Sequence, residues 1–188
     1  MIRLFVGLSL PHPLRDRLAA LAAGIPGARW TPSENLHVTL RFIGEVDETT
    51  ADGVHDALVE LRAAAFDLEI GGCGLFTAPR RSFTLWVGAS KAPPLVHLRD
   101  KIESALVRAG LPPEGRRYQP HITLARLKDP PLSKLHAFVA GNNLFRAAFH
   151  VDTFTLFSSR LGHGDPVYTA EVEYPLQDYP TSACPAGK

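Results

Sequence analysis

Leu36-His37-Val38-Thr39-Leu40 and Pro120-His121-Ile122-Thr123-Leu124 share the core H-x-T-L, the second histidine standing 84 positions beyond the first. In an extended strand, successive side chains point to opposite faces. His37 and Thr39 then share one face, with Val38 and Leu40 on the other. His121 and Thr123 do the same, with Ile122 and Leu124 behind them. Each copy offers an imidazole beside a hydroxyl, backed by aliphatic side chains suited to burial. Two such strands meeting across a cleft would supply two histidines for proton transfer and two hydroxyls to hold an anion. Those are the groups that metal-free cleavage of a phosphodiester requires.

Outward from the first copy, Arg3 to Leu10 reads as a strand, ended by Pro11 and Pro13. Leu14, Leu18 and Leu21 recur at helical spacing until Gly24 and Pro26. Trp30 falls in a short extended link before the turn Thr31-Pro32-Ser33. The first motif strand is expected over Leu36 to Ile43, stopped by Gly44. Asp47 is an expected N-cap for a helix with Val54, Leu58 and Leu61 on its apolar face. A glycine-loosened strand follows from Phe66 to Phe76.

The order then repeats. A strand is expected over Ser82 to Ala89, and a helix opens at Pro93-Pro94 with Leu95, Leu98, Ile102 and Leu106 inward. The second motif strand is expected from Tyr118 to Leu127, and a short helix from Leu132 to a stop at Gly141. Strands from Phe149 to Phe157 and from Val167 to Glu173, around Gly162-His163-Gly164, close the fold. This repetition predicts one domain over 1–188, an α+β fold of two pseudo-repeat lobes, about 1–78 and 79–176. Two antiparallel-rich sheets with outer helices would flank a central cleft, and 177–188 would be a flexible tail.

Composition narrows the function classes. The 188 residues are 45% hydrophobic and 21% charged, enough for an ordinary packed core. A net charge of +1 provides no global field for capturing nucleic acid, so any anion site must be local. Basic residues do gather near the motifs: Arg80-Arg81, Arg116-Arg117, then Arg126 and Lys128. Cys73 and Cys184 lack C-x-x-C spacing and read as reduced thiols of a cytoplasmic protein. No run is long enough for a membrane span and no signal-peptide pattern opens the chain, so no membrane partner is expected.

The paired motifs with their flanks, Leu36 to Glu45 and Pro120 to Arg126, resemble the 2H phosphoesterase superfamily. Within it they are most similar to the RNA 2′,3′-cyclic phosphodiesterases, often labelled 2′-5′ RNA ligases. The likeness extends to Arg3-Leu4-Phe5-Val6, the Trp30 link, Phe83 to Gly88, and Leu156-Phe157-Ser158-Ser159 followed by Tyr168. It implies a bilobal fold, His37 as proton donor, His121 as proton acceptor, and Thr39, Thr123 and Arg126 as phosphate contacts. Spacing alone leaves open which histidine does which, because the motifs are nearly equivalent. The partner implied is RNA or a nucleotide with a 2′,3′-cyclic phosphate end, acted on by a monomer. The same residues would serve a 2′-5′ ligase running the reaction backward. They would equally serve another 2H substrate, such as a cyclic ADP-ribose phosphate or a 2′,5′-oligoadenylate. A non-catalytic nucleotide-binding module is the remaining alternative, and would predict damage to a motif residue, whereas all four are intact.

No cofactor and no metal is expected, since H-x-H and H-E-x-x-H spacings are absent. Of the other histidines, His12, His55, His97 and His136 fall in expected helices or caps, and His150 and His163 at strand-edge and loop positions. Phe5, Trp30, Phe42, Phe76 and Tyr118 are the aromatic candidates for stacking on a base. Strand parity puts Tyr118 on the face away from His121 and Gln119 on the same face. By the same parity Arg126 would share the face of Ile122, away from the histidines, unless the strand bulges or ends there.

Overall fold

The computed structural model describes residues 1–160 and 166–177. The Gly162-His163-Gly164 loop and Cys184 lie outside them. Among the described residues, nine strands and four helices follow in order: β1 (Ile2–Ser9), α1 (His12–Ala19), β2 (Arg29–Trp30), a 3-10 turn (Ser33–Asn35), β3 (His37–Val46), α2 (Glu48–Val59) and β4 (Phe66–Ala78). Then come β5 (Ser82–Ala89), α3 (Pro93–Arg108), β6 (His121–Lys128), α4 (Leu132–Asn142), β7 (Arg146–Val151), β8 (Thr153–Arg160) and β9 (Val167–Pro175). The strands form two antiparallel sheets, one in the order β3-β1-β8-β9 and the other β2-β6-β5-β4-β7. This is the expected α+β class.

The repeat is real in the sheets, but its halves are not the two halves of the chain. Setting aside β2, the two sheets share one plan: motif strand at one end, then the strand that opens its unit, then two more. The expected lobe boundary near residue 78 is corrected by β4, which leaves the first unit and pairs with β5 in the other sheet. Its place beside β1 is taken by β8, from the end of the chain. The single strand expected over Phe149 to Phe157 is in fact two. β7 pairs with β4, β8 pairs with β1, and the chain passes between the sheets at Asp152, whose carbonyl accepts from Leu176 N–H at 2.7 Å.

Local chemistry explains the element ends. Asp47 caps α2, its Oδ1 accepting from Thr50 N–H at 2.8 Å, and that bond holds its carboxyl below the usual range. Proline stands in the first turn of α1 and of α3, where a missing N–H costs nothing. α1 ends at Ala19, short of the expected stop at Gly24. α4 runs through Gly141 to Asn142, because a glycine interrupts a helix only mildly when the next turn is satisfied. β3 likewise runs beyond Gly44, whose φ of +94° takes up an extra residue opposite Leu4 and Phe5. Gln177 is tied down rather than frayed: it bridges Ala64, with backbone bonds to Ala63 and Ala65. The rest of the expected tail lies outside the described residues.

Both sheets and the helices contribute to one continuous hydrophobic core. Val38, Leu40, Ile122 and Leu124 are inside it, as the motif alternation requires. α3 supplies Leu95, Leu98, Ile102, Ala105 and Leu106, and packs against α2, β3 and β4. Arg41, in the middle of β3, is buried too. Its Nε donates to Glu103 Oε2 of α3 at 2.5 Å and its Nη2 to the Pro112 carbonyl at 2.5 Å. Glu103 Oε1 in turn accepts from Glu114 N–H. This pair therefore joins the first motif strand to the segment that leads into the second. Removing one partner of a buried pair strands the other charge. Glu103→Ala should accordingly lower the unfolding free energy by about 3 kcal/mol, whereas Glu45→Ala, which breaks the exposed Arg3–Glu45 pair, should cost under about 1 kcal/mol. Urea denaturation of both variants would measure the difference, and equal losses would refute the structural role of Glu103.

Candidate active site

His37 opens β3 and His121 opens β6, and both line one cavity of about 440 Å³. Thr39, Thr123, Arg126 and Tyr118 line the same cavity, so all six residues named from sequence are brought together. β3 is the end strand of its sheet, and β6 stands one strand in from the β2 edge of the other. The two motif strands contact each other directly.

The two strands carry matching irregularities. Thr39 pairs with Gly7 and Arg41 with Val6, leaving Leu40 as the extra residue of a bulge. Thr123 pairs with Trp86 and Ala125 with Leu85, leaving Leu124 as the extra residue. Each bulge shifts the alternation by one, so that two consecutive residues are buried: Leu40-Arg41 and Leu124-Ala125. The next residue then returns to the cleft face. In β6 that residue is Arg126, so regular parity fails here and the arginine lines the cavity. In β3 it is Phe42, a phenylalanine 55% exposed at the cavity wall.

The histidines are held in the same way. His37 Nδ1–H donates to the Asn35 carbonyl at 2.7 Å, and His121 Nδ1–H donates to the Gln119 carbonyl at 2.8 Å. A carbonyl can only accept, so in each neutral ring the proton sits on Nδ1 and the lone pair on Nε2. Thr39 Oγ1–H donates to His37 Nε2 at 3.0 Å. Aromatic rings fix both imidazoles from the side. Phe5 lies 4.8 Å from His37 between centroids, Tyr168 meets it edge-on at 5.3 Å, and Phe76 meets His121 edge-on at 4.9 Å. Gly7 lies beneath His37: a Cβ there would stand 3.0 Å from the Val38 carbonyl and 3.5 Å from the imidazole. A larger residue would push against the ring.

The electrostatics differ between the two rings. Burial pushes His37 down to about 4; the Asn35 carbonyl opposes this, while the charges of His121 and Arg126 add to it. His121 is lowered by its own burial, against the Gln119 carbonyl. Both therefore favour the neutral form at pH 7, and an anion entering the cavity favours the protonated form. Burial acts the other way on Tyr118 and raises its phenol, with the Arg99 guanidinium 5.5 Å over its ring.

Sequence reasoning missed several parts of this site. Arg29 lines the cavity because β2 pairs with β6, with Arg29 directly across from Arg126. Only tertiary pairing reveals that. The orienting carbonyls of Asn35 and Gln119 have no residue signature, although both lie two positions before a motif histidine. Of the aromatic candidates, Phe5 is buried against His37, Phe76 supports His121, and Trp30 is packed on Phe138. Phe42 is the most open of the five. The remaining described histidines do not line the cavity; His12 pairs with Asp16, His55 with Tyr174, and His150 with Asp67.

Comparison with known proteins agrees with this arrangement. A family model described as the 2′-5′ RNA ligase superfamily matches residues 10–163. An RNA 2′,3′-cyclic phosphodiesterase of Aeropyrum pernix is 40% identical over 127 residues, 65% of this chain and 70% of the relative. The Escherichia coli K12 protein of the same name is 29% identical over 171 residues, 89% of this chain and 92% of its own. The crystal structure of E. coli LigT complexed with 3′-AMP superposes with a TM-score of 0.76 at 27% identity, covering 94% of this chain and 99% of that one. With the family model spanning most of the chain, and the fold and paired motifs agreeing with it, the protein belongs to the 2′-5′ RNA ligase superfamily of 2H phosphoesterases.

Proposed function

We propose that this protein is an RNA 2′,3′-cyclic phosphodiesterase that opens the terminal cyclic phosphate to a 2′-phosphomonoester. The observation that carries the reading is the pair of histidines on one cavity, each with Nδ1 committed to a backbone carbonyl, so that Nε2, which in His37 also accepts from the Thr39 hydroxyl, is the nitrogen that can carry chemistry. The relatives named above add to it, since their names specify that activity.

In this mechanism, water attacks phosphorus in line with the ribose 3′-oxygen. His121 Nε2 accepts the proton of the attacking water as the new P–O bond forms. His37 Nε2–H donates its proton to O3′ as that P–O bond breaks. One proton enters the dyad and one leaves, so the pair ends with its roles exchanged and resets through solvent. The carbonyls of Asn35 and Gln119 stabilise whichever ring becomes imidazolium. Thr39, Thr123 and Arg126 donate to the non-bridging oxygens, where preorganised donors contribute most. Phe42 offers a ring face to the terminal base across the cleft from Arg126. The ribose 3′-oxygen is thus the leaving group and the 2′-oxygen keeps the phosphate. Among the described residues, no three His, Cys, Asp or Glu side chains gather where they could hold a metal ion. Cys73 is a buried free thiol, and no described helix is long and apolar enough to cross a membrane.

The decisive experiment uses an RNA oligomer ending in a 2′,3′-cyclic phosphate. His37→Ala and His121→Ala should each lower kcat by about 10²–10⁴-fold, and the double variant should be little worse than the poorer single one. Thr39→Ala and Thr123→Ala should cost about 10–10³-fold. Wild-type turnover should persist in EDTA, with a 2′-phosphate on the product. A His37→Ala protein that is folded by circular dichroism and turns over at the wild-type rate would defeat the mechanism.

The pH profile carries an independent expectation. Productive enzyme has one proton on the dyad. Because burial lowers both imidazoles, that proton is lost from the free protein below the ordinary histidine pKa of 6.5. The alkaline limb of kcat/KM, which reports free enzyme, should therefore begin below that value. Bound phosphate raises the imidazolium pKa, so the alkaline limb of kcat should lie at higher pH. Coincident limbs would contradict this order.

Phe42→Ala should raise KM for the RNA about tenfold, with kcat changed far less, because base stacking contributes about 1–3 kcal/mol. Steady-state kinetics on one oligomer would reveal it, and an unaltered KM would remove Phe42 from the binding wall.

A further inference from the structure

The sheet face that lines the cavity continues beyond it. Phe76, Thr84 and Arg126 are directly opposed across β4, β5 and β6, and all three line the cavity. Side chains two positions further along a strand return to the same face. The next row on that face is Ala78, Ser82 and Lys128, again directly opposed. Leu127, between Arg126 and Lys128, is buried, so regular alternation holds after the bulge. Lys128 therefore stands on the cleft side, about 7 Å along the strand from Arg126. Ala78 and Lys128 are exposed and Ser82 is half-buried, all outside the cavity lining. The small side chains of Ala78 and Ser82 leave this row low beside the lysine.

Beyond the row, the β4–β5 hairpin turns through Pro79-Arg80-Arg81. Arg80 has φ +59°, Arg81 has φ +53°, and Asp129, next to Lys128, has φ +50°. Among the described residues these are the three non-glycine residues with positive φ, and they meet at this one end of the sheet. Glycine or asparagine adopts that conformation with less strain. Two contacts hold it: Arg81 Nε donates to Asp129 Oδ1 at 2.8 Å, and Asp129 N–H donates to the Arg81 carbonyl at 2.9 Å. Arg81 is thereby committed to Asp129. Arg80 and Lys128 are exposed, and among the described residues neither is in an ion pair. A hairpin that had only to turn would favour glycine at such a position. An arginine held there carries a charge to the tip, and strained backbone of this kind gathers where ligands are clamped.

We propose that Lys128 and Arg80 form a track for the phosphodiester backbone of RNA lying 5′ of the nucleotide in the cavity. A nucleotide whose 2′ and 3′ oxygens are closed into a ring continues only through its 5′ oxygen. What leaves the cavity is therefore sugar and phosphate, with one negative charge per nucleotide. The track starts at Arg126, passes Lys128 beside the low row of Ala78 and Ser82, and ends at the hairpin tip. Contacts to phosphate carry no base identity, so the track senses that a chain is attached rather than its sequence. This assignment rests on the phosphodiesterase reading for the direction of the strand.

The test compares adenosine 2′,3′-cyclic phosphate, which has no backbone beyond the cavity, with a hexaadenylate ending in the same group. For wild type, the logarithm of kcat/KM should fall more steeply with log salt for the hexamer, by about 0.7 per phosphate engaged. K128Q and R80G should each lower hexamer kcat/KM about fivefold at 0.1 M salt and flatten its salt slope, with turnover of the mononucleotide unchanged. R80G should keep the wild-type Tm or raise it, because the substitution relieves the backbone at φ +59°. A loss of hexamer turnover then has no origin in a weakened fold, and R80K, which keeps the charge, should retain the hexamer preference. Equal salt slopes for the two substrates in wild type, or hexamer turnover unchanged in either variant, would overturn the track. Equal losses on both substrates would overturn it too. Anisotropy of a 5′-labelled hexaadenylate with a 2′-phosphate end needs no turnover and separates the two readings. Tighter, more salt-dependent binding to wild type than to R80G/K128Q supports the track even if neither cyclic substrate is hydrolysed, a result that defeats the phosphodiesterase reading alone. Equal binding to both proteins overturns the track whatever the turnover.

Discussion

One extra residue in each motif strand organises this molecule. A strand that alternated perfectly would present His and Thr to the cleft and then Arg41 or Ala125 as the third cleft-side residue, leaving Phe42 and Arg126 on the core face. The bulge after each threonine buries the residue after the leucine as well, Arg41 or Ala125, and turns the one beyond it to the cleft. Every consequence at the cavity wall follows from that shift. Arg126 reaches the cleft from β6, and Phe42 reaches it from β3. The same device in two places produces a charged wall and an aromatic wall, because the sequences after the bulges differ.

The bulge in β3 also puts a charged residue in the core. Arg41 takes the buried position that Ala125 occupies in β6. Its guanidinium must find partners there, and it finds them in Glu103 of α3 and in the carbonyls of Phe42 and Pro112. A buried ion pair is weak evidence for net stability, but it specifies geometry strongly. Here it fixes the segment that approaches His121 against the strand that carries His37. The two histidines belong to different sheets, so their relation depends on contacts of this kind rather than on a shared ladder.

The exchange of third strands ties the sheets together further. β4 lies in the sheet of β6, and β8, formed last, lies beside β1. Phe157 on β8 helps wall His37 and Phe76 on β4 walls His121. Each catalytic candidate is therefore supported by a strand remote in sequence. Burial lowers the affinity of both histidines for protons, and an anion in the cavity would favour the protonated form.

The sequence alone determined the motif strands, the identity of the two histidines and two threonines, most of the helices, and the α+β class. Those features depend on local alternation, helical spacing and capping, which neighbouring residues express directly. Tertiary structure decided which strands share a sheet, because pairing partners more than a hundred residues apart leave no periodic trace. It alone split the Phe149 to Phe157 run between two sheets and set Arg29 across from Arg126. It also supplied the orienting carbonyls of Asn35 and Gln119, which are backbone atoms common to every residue. Arg126 shows the boundary between the two sources. Its side chain can be read from the sequence, but its direction depends on a bulge at Leu124, which is set by the pairing of β5 with β6 and by the burial of Ala125 beside Leu124.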